Sequence, residues 1–142
     1  MAIRPDCQGD VTKTHIAWAS EDNVPDVTSP LSNGELVFML TTAGMVTCLD
    51  AKDGKKQWDH DYEMEFHASP SLAANRLYLF SQKGTAFVVE AARQFKELLR
   101  TEMGDGFHAS PAFAPDKIFL RGVTNVWCLG PASPKDQPAG KP

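Results

Sequence analysis

Two histidines in this chain are spaced in a way that could do chemistry. His67 and His108 lie 41 positions apart, inside the same five residues, Phe66-His67-Ala68-Ser69-Pro70 and Phe107-His108-Ala109-Ser110-Pro111. Neutral imidazole is a common ligand for borderline metals, and its protonated form pairs with anions, so two imidazoles at equivalent points could bind a metal or an anion. The plainer reading is that one ancestral unit carrying Phe-His was copied. Stacked sheets lie near 10 Å apart, so histidines on neighbouring units are expected about 8–10 Å or more from each other, which favours the plainer reading.

Other groups of reactive type make a weaker case. Ser29, Ser69 and Ser110 each precede proline and sit in no nucleophile-elbow motif with a partner histidine, so their hydroxyls are assigned to backbone groups. Asp50 and Asp53 fall in a turn, Asp59 and Asp61 on an outer strand, and Glu63, Glu65 and Asp105 in connecting loops, positions that suit turn capping and a solvated face. His15 and His60 belong to outer strands and read as solvated. Cys7, Cys48 and Cys128 have no CxxC or CxxH spacing, so zinc-finger chemistry finds no support. Cys48 and Cys128 share a register two repeats apart, too far for a disulfide, and read as small buried strand residues.

The elements that would position these groups follow from the repeat. Thr28-Ser29-Pro30 is a shorter echo of Ala-Ser-Pro about 40 residues before the first full copy, giving a period near 40. After each Ser-Pro comes a turn and a run rich in β-branched, aromatic and long apolar residues: Glu35–Thr41, Arg76–Phe80 and Lys117–Arg121. A second turn, glycine-bearing at Gly44 and Gly84, leads to a further strand at Met45–Asp50, Thr85–Glu90 and Asn125–Leu129. Trp58 closes the outer strand of the first unit, Trp18 stands 40 residues earlier on the outer strand of a preceding one, and Leu98 takes the tryptophan's place in the second. The stretch 91–99 has some helical propensity, but its register makes it turn plus strand.

Four antiparallel strands in about 40 residues, repeated, is the pattern of a β-propeller blade. The expected fold is all-β, a partial β-propeller of about three four-stranded antiparallel blades. Residues 1–130 hold the blades: an outer strand at 12–18, then blades at about 27–62, 67–103 and 108–130, the last without its outer strand. Residues 131–142, with four prolines and no large apolar residue, read as a flexible tail.

Composition narrows the function. A net charge of −4 without a basic stripe leaves nothing for a nucleic-acid backbone, and no apolar run approaches the roughly 18 residues of a membrane helix. The start of the chain carries no apolar signal segment.

Leu49-Asp50-Ala51-Lys52-Asp53-Gly54-Lys55-Lys56-Gln57-Trp58 resembles the repeat motif of the pyrroloquinoline-quinone-like (PQQ-like) β-propeller family, with Asp53 in place of the usual threonine. The resemblance covers about residues 10 to 130, is most specific in the first unit, and is similar to the C-terminal part of the non-catalytic, bacterial, envelope type. It implies that Asp50 and Gly54 set a turn and that Trp18 and Trp58 dock between blades. The family's settings are a catalytic quinoprotein ring, a protein-binding scaffold of outer-membrane protein assembly, and a sensor domain of bacterial kinases. No oxygen-ligand cluster for calcium and no adjacent cysteine pair appear here, so the reading is non-enzymatic, without cofactor or metal. It implies a periplasmic or envelope location. The partner is expected to be a protein, further blades, or further copies of the chain completing a ring. It would dock at the channel face around Asp26, Phe66, His67, Phe107 and His108.

Overall fold

The chain's apolar runs are short, alternate with turn residues and are rich in Val, Leu, Phe and Met, and the computed structural model folds them into strands. It describes residues 1–131 except Cys7 and Thr12, so residues 132–142, nearly all of the expected tail, and Cys7 lie outside the described residues. Among the described residues no helix forms.

A two-stranded pair comes first, β1 (Ala2–Ile3) with β2 (Ile16–Trp18). The first blade is β3 (Leu31–Ser32), β4 (Leu36–Leu40), β5 (Met45–Asp50) and β6 (Lys56–Asp61), each antiparallel to the one before. The second repeats it as β7 (Ser71–Ala73), β8 (Arg76–Phe80), β9 (Thr85–Glu90) and β10 (Glu97–Glu102). The third has three strands, β11 (Ala112–Ala114), β12 (Lys117–Arg121) and β13 (Val126–Leu129). This is a partial propeller, and residues 91–96 form a turn leading into β10 without helix.

The sheets pack face to face through alternate side chains. Leu36, Phe38, Leu40, Val46 and Cys48 of the first blade meet Leu77, Leu79, Phe87 and Val89 of the second in one buried cluster. Phe80 and Ala86 meet Leu120 in another, flanked by Tyr78, Ile118 and Trp127. Strand β5 is covered on both faces: Val46 and Cys48 toward the second blade, Thr47 and Leu49 toward the segment before the first, where the Asn23 amide donates to Thr47 Oγ1 at 3.2 Å. Strand β13 is covered on one face only, leaving Val126 77% exposed and Cys128 in solvent. The expectation that both strand cysteines are buried holds for Cys48 alone, because Cys128 points away from the second blade. Both thiols are free.

Each inter-blade connection runs along the β-turn of the blade it leaves. Phe66 N–H donates to Thr42 O at 2.9 Å, and Phe107 N–H to Ser81 O at 3.2 Å. The approach is close at Gly84 (φ +97°), where a Cβ would lie 2.6 Å from the carbonyl oxygen of Asp105. These bonds fix the connections, and the connections carry His67 and His108.

Candidate functional site

Alternation along each connection sends Phe inward and His outward. Phe66 and Phe107 are fully buried: Phe66 lies 6.0 Å from the Phe87 ring and Phe107 5.4 Å from the Phe80 ring. That corrects their assignment to a partner-facing surface. They anchor the blades, because an apolar ring beside a backbone already held by hydrogen bonds gains most by filling the inter-blade gap.

The histidines behave differently. His67 is half-buried and His108 exposed, and their Nδ1 atoms stand 3.4 Å apart with ring centroids at 5.4 Å. The separation of 8–10 Å expected from sheet spacing is therefore wrong at this point. That spacing describes backbones of facing sheets, and here two side chains lean across it toward each other.

Asp26 occupies the register of Phe66 and Phe107 in the first unit and is exposed. Its carboxylate accepts from the hydroxyl and the amide of Thr42, which hold it below the usual carboxylate value. It closes a loop that backbone groups close in the other units. Ser69 does similar work, its hydroxyl accepting from Ser29 N–H at 2.9 Å.

Two residues that the sequence reasoning passed over belong to the same side. Val27, in register with His67 and His108, is 57% exposed, and Val123, which lines a shallow hollow with His108 and Arg121, is 65% exposed. The signal for Val27 was its place one residue before Thr28-Ser29-Pro30; Val123 had none.

Asp105, in the connection to the third blade, is buried beneath the turn it caps. Burial would raise its carboxyl, but the amides of Asn125 (2.9 Å) and Thr124 (3.2 Å) and the Asn125 side chain (3.3 Å) more than offset this and leave it lowered. Cys48 is inert for a related reason: burial pushes its thiol up to about 12. His60 is half-buried rather than solvated, because its ring stacks on Phe95 at 4.1 Å.

At the outer rim, Trp18 Nε1 donates to Ala51 O and Trp58 Nε1 to Ala92 O, both at 2.9 Å. Asp50 caps the motif turn through Lys52 N–H at 2.9 Å, and Gly54 N–H donates to Asp50 O at 2.9 Å.

The sequence pattern of a family described as outer membrane protein assembly factor BamB matches residues 12–94 and, in an overlapping placement, 42–132. The chain belongs to this PQQ-like repeat family. A comparison with curated proteins gives no match. Among solved structures, this PQQ-like chain is similar to BamB from Moraxella catarrhalis, with a TM-score of 0.59 at 12% identity over 70% of this chain and 30% of that one. It is also similar to the quinohemoprotein alcohol dehydrogenase of Comamonas testosteroni, with a TM-score of 0.58 at 14% identity over 70% of this chain and 17% of that one. A quinohemoprotein alcohol dehydrogenase of Pseudomonas putida gives 0.57 at 13% identity, over 66% and 16%. These likenesses show the fold, and the PQQ-like chain spans under a third of the length of each structure. No helix among the described residues is long and apolar enough to cross a membrane.

Proposed function

We propose that this chain is a non-enzymatic protein-binding module of the bacterial envelope, presenting the loops between its blades to a partner. The family match over residues 12–132 supports this reading most directly, since that family is described by a role in outer-membrane protein assembly. The arrangement of the loops agrees with it. Val27, Val123 and His108 place apolar and adaptable polar groups in solvent, with half-buried His67 against His108, while the backbone that carries the two histidines is pinned.

The alternative, part of a quinoprotein dehydrogenase, asks for a hard cation held by oxygen ligands and a flat aromatic floor for the quinone. The residues at hand do not compose that site. Among the described residues no three His, Cys, Asp or Glu side chains converge on one point, and the phenylalanines of the connecting loops are buried.

Photo-crosslinking residues placed at Val27, His67 and Val123, and as controls at Asp53 and Asn75 in turns at strand ends, test the reading in envelope preparations. The expected result is one recurring protein adduct from the first set alone, competed away by unlabelled chain. Equal crosslinking from both sets, or saturable calcium-dependent binding of pyrroloquinoline quinone, would overturn it.

A further inference from the structure

We propose that His67 and His108 form a two-histidine site for a borderline divalent cation of the Zn2+ type, bound through their Nδ1 atoms where the second and third blades meet. The two Nδ1 atoms are 3.4 Å apart. A zinc ion about 2.1 Å from each would see them at an angle of about 110°, which is tetrahedral. Copying of an ancestral unit explains why both copies hold histidine, but not why the rings meet. The same register in the first unit holds Val27.

The rings are also rooted. Each follows a fully buried phenylalanine whose N–H is bonded to the preceding blade, at 2.9 Å for Phe66 and 3.2 Å for Phe107. The backbone that carries the rings has little freedom left to lose when an ion binds, and pre-organisation of this kind favours affinity. In the neutral pair one Nδ1–H faces the other ring's Nδ1 lone pair. Binding moves that proton through solvent to Nε2 of its own ring, so both Nδ1 lone pairs go to the ion and no proton is gained or lost overall. Two coordination positions remain for water or a donor from outside. Arg121, in the same hollow as His108, makes an anionic donor the favoured one.

The test is calorimetric titration of the 142-residue chain with ZnCl2, and separately MgCl2, after Cys7 and Cys128 are replaced by serine to remove competing thiols. One Zn2+ should bind per chain and Mg2+ should not, since imidazole suits the borderline ion and not the hard one. His67→Gln and His108→Gln should each weaken zinc at least about tenfold, while His15→Gln leaves it unchanged. His108 is exposed, so H108Q keeps its fold and decides the question if H67Q does not. Zinc binding as tight in H108Q as in the parent, or no stoichiometric binding in the parent, would overturn the proposal.

Discussion

Trp18 and Trp58 make the same hydrogen bond at successive junctions, to carbonyls 41 residues apart, yet rest on different floors. Trp18 lies close against Gly54, where an added Cβ would come 2.6 Å from its ring. At the next junction the same 41-residue step from Gly54 lands on Phe95, and Trp58 meets that ring edge-on at 5.3 Å, with the Phe38 ring tilted at 6.1 Å. Phe95 in turn stacks on His60. What the repeat preserves is an indole N–H on a backbone carbonyl. The turn's side chains are free to change because the acceptor is main chain, and an aromatic floor replaces close approach with ring contacts.

The largest effect that would separate the two junctions is Trp58→Ala. Trp58 is half-buried in contact with Phe38 and Phe95, so its loss is expected at the low end of buried aromatic truncations, about 3 kcal/mol, against about 2 kcal/mol for Trp18→Ala. Urea unfolding monitored by circular dichroism gives both, and the reverse order would break the comparison.

Gly54→Ala comes next. Its φ of +73° costs an alanine about 1 kcal/mol, and displacing the indole adds about as much again. In the Trp18→Ala background only the first part should remain, so a double-mutant cycle is expected to show a coupling of about 1 kcal/mol. Additivity would mean that Gly54 serves its turn alone and that the close contact is incidental.

The difference between the junctions marks what could be read from the chain. Runs such as Arg76–Phe80 and Lys117–Arg121 became strands with those bounds, and Gly44 and Gly84 turn the chain into Met45–Asp50 and Thr85–Glu90, because local propensity and a period near 40 point the same way. Strand β1 went unseen: two residues carry no periodicity, and only pairing with β2 makes them a strand. Burial was harder. Phe66 and His67 share one loop pentapeptide, and nothing in its composition says which of the two turns inward; the inter-blade gap decides that. The meeting of His67 and His108 was hidden for a similar reason, since sequence gives the spacing of backbones but not the lean of side chains. Cys128 looked like Cys48 because register is local, whereas cover depends on what stacks next.

The smallest expected effect lies on the surface of the second junction. Arg93 donates to Asp50 at 2.7 Å and to Gln57 at 3.2 Å, joining the second blade to the first beside Trp58. That guanidinium, and then the amide of Lys52, holds the Asp50 carboxyl below its ordinary value of 3.8. A carboxyl lowered by folding stabilises the fold above its unfolded value, and the contribution disappears as pH falls through the lower folded value. The Arg93→Gln chain should therefore be slightly less stable than the parent at neutral pH, and the two should converge once the medium is well below pH 3.8. Because the pair is partly exposed, added salt should shrink the gap as well. If the two junctions are independent locks, Arg93→Gln will couple more strongly to Trp58→Ala, whose carbonyl acceptor Ala92 is its covalent neighbour, than to Trp18→Ala, whose acceptor Ala51 only follows its ion-pair partner Asp50. Equal coupling to both tryptophans would show that the blades respond as one body, and the contrast between their floors would then have no energetic meaning.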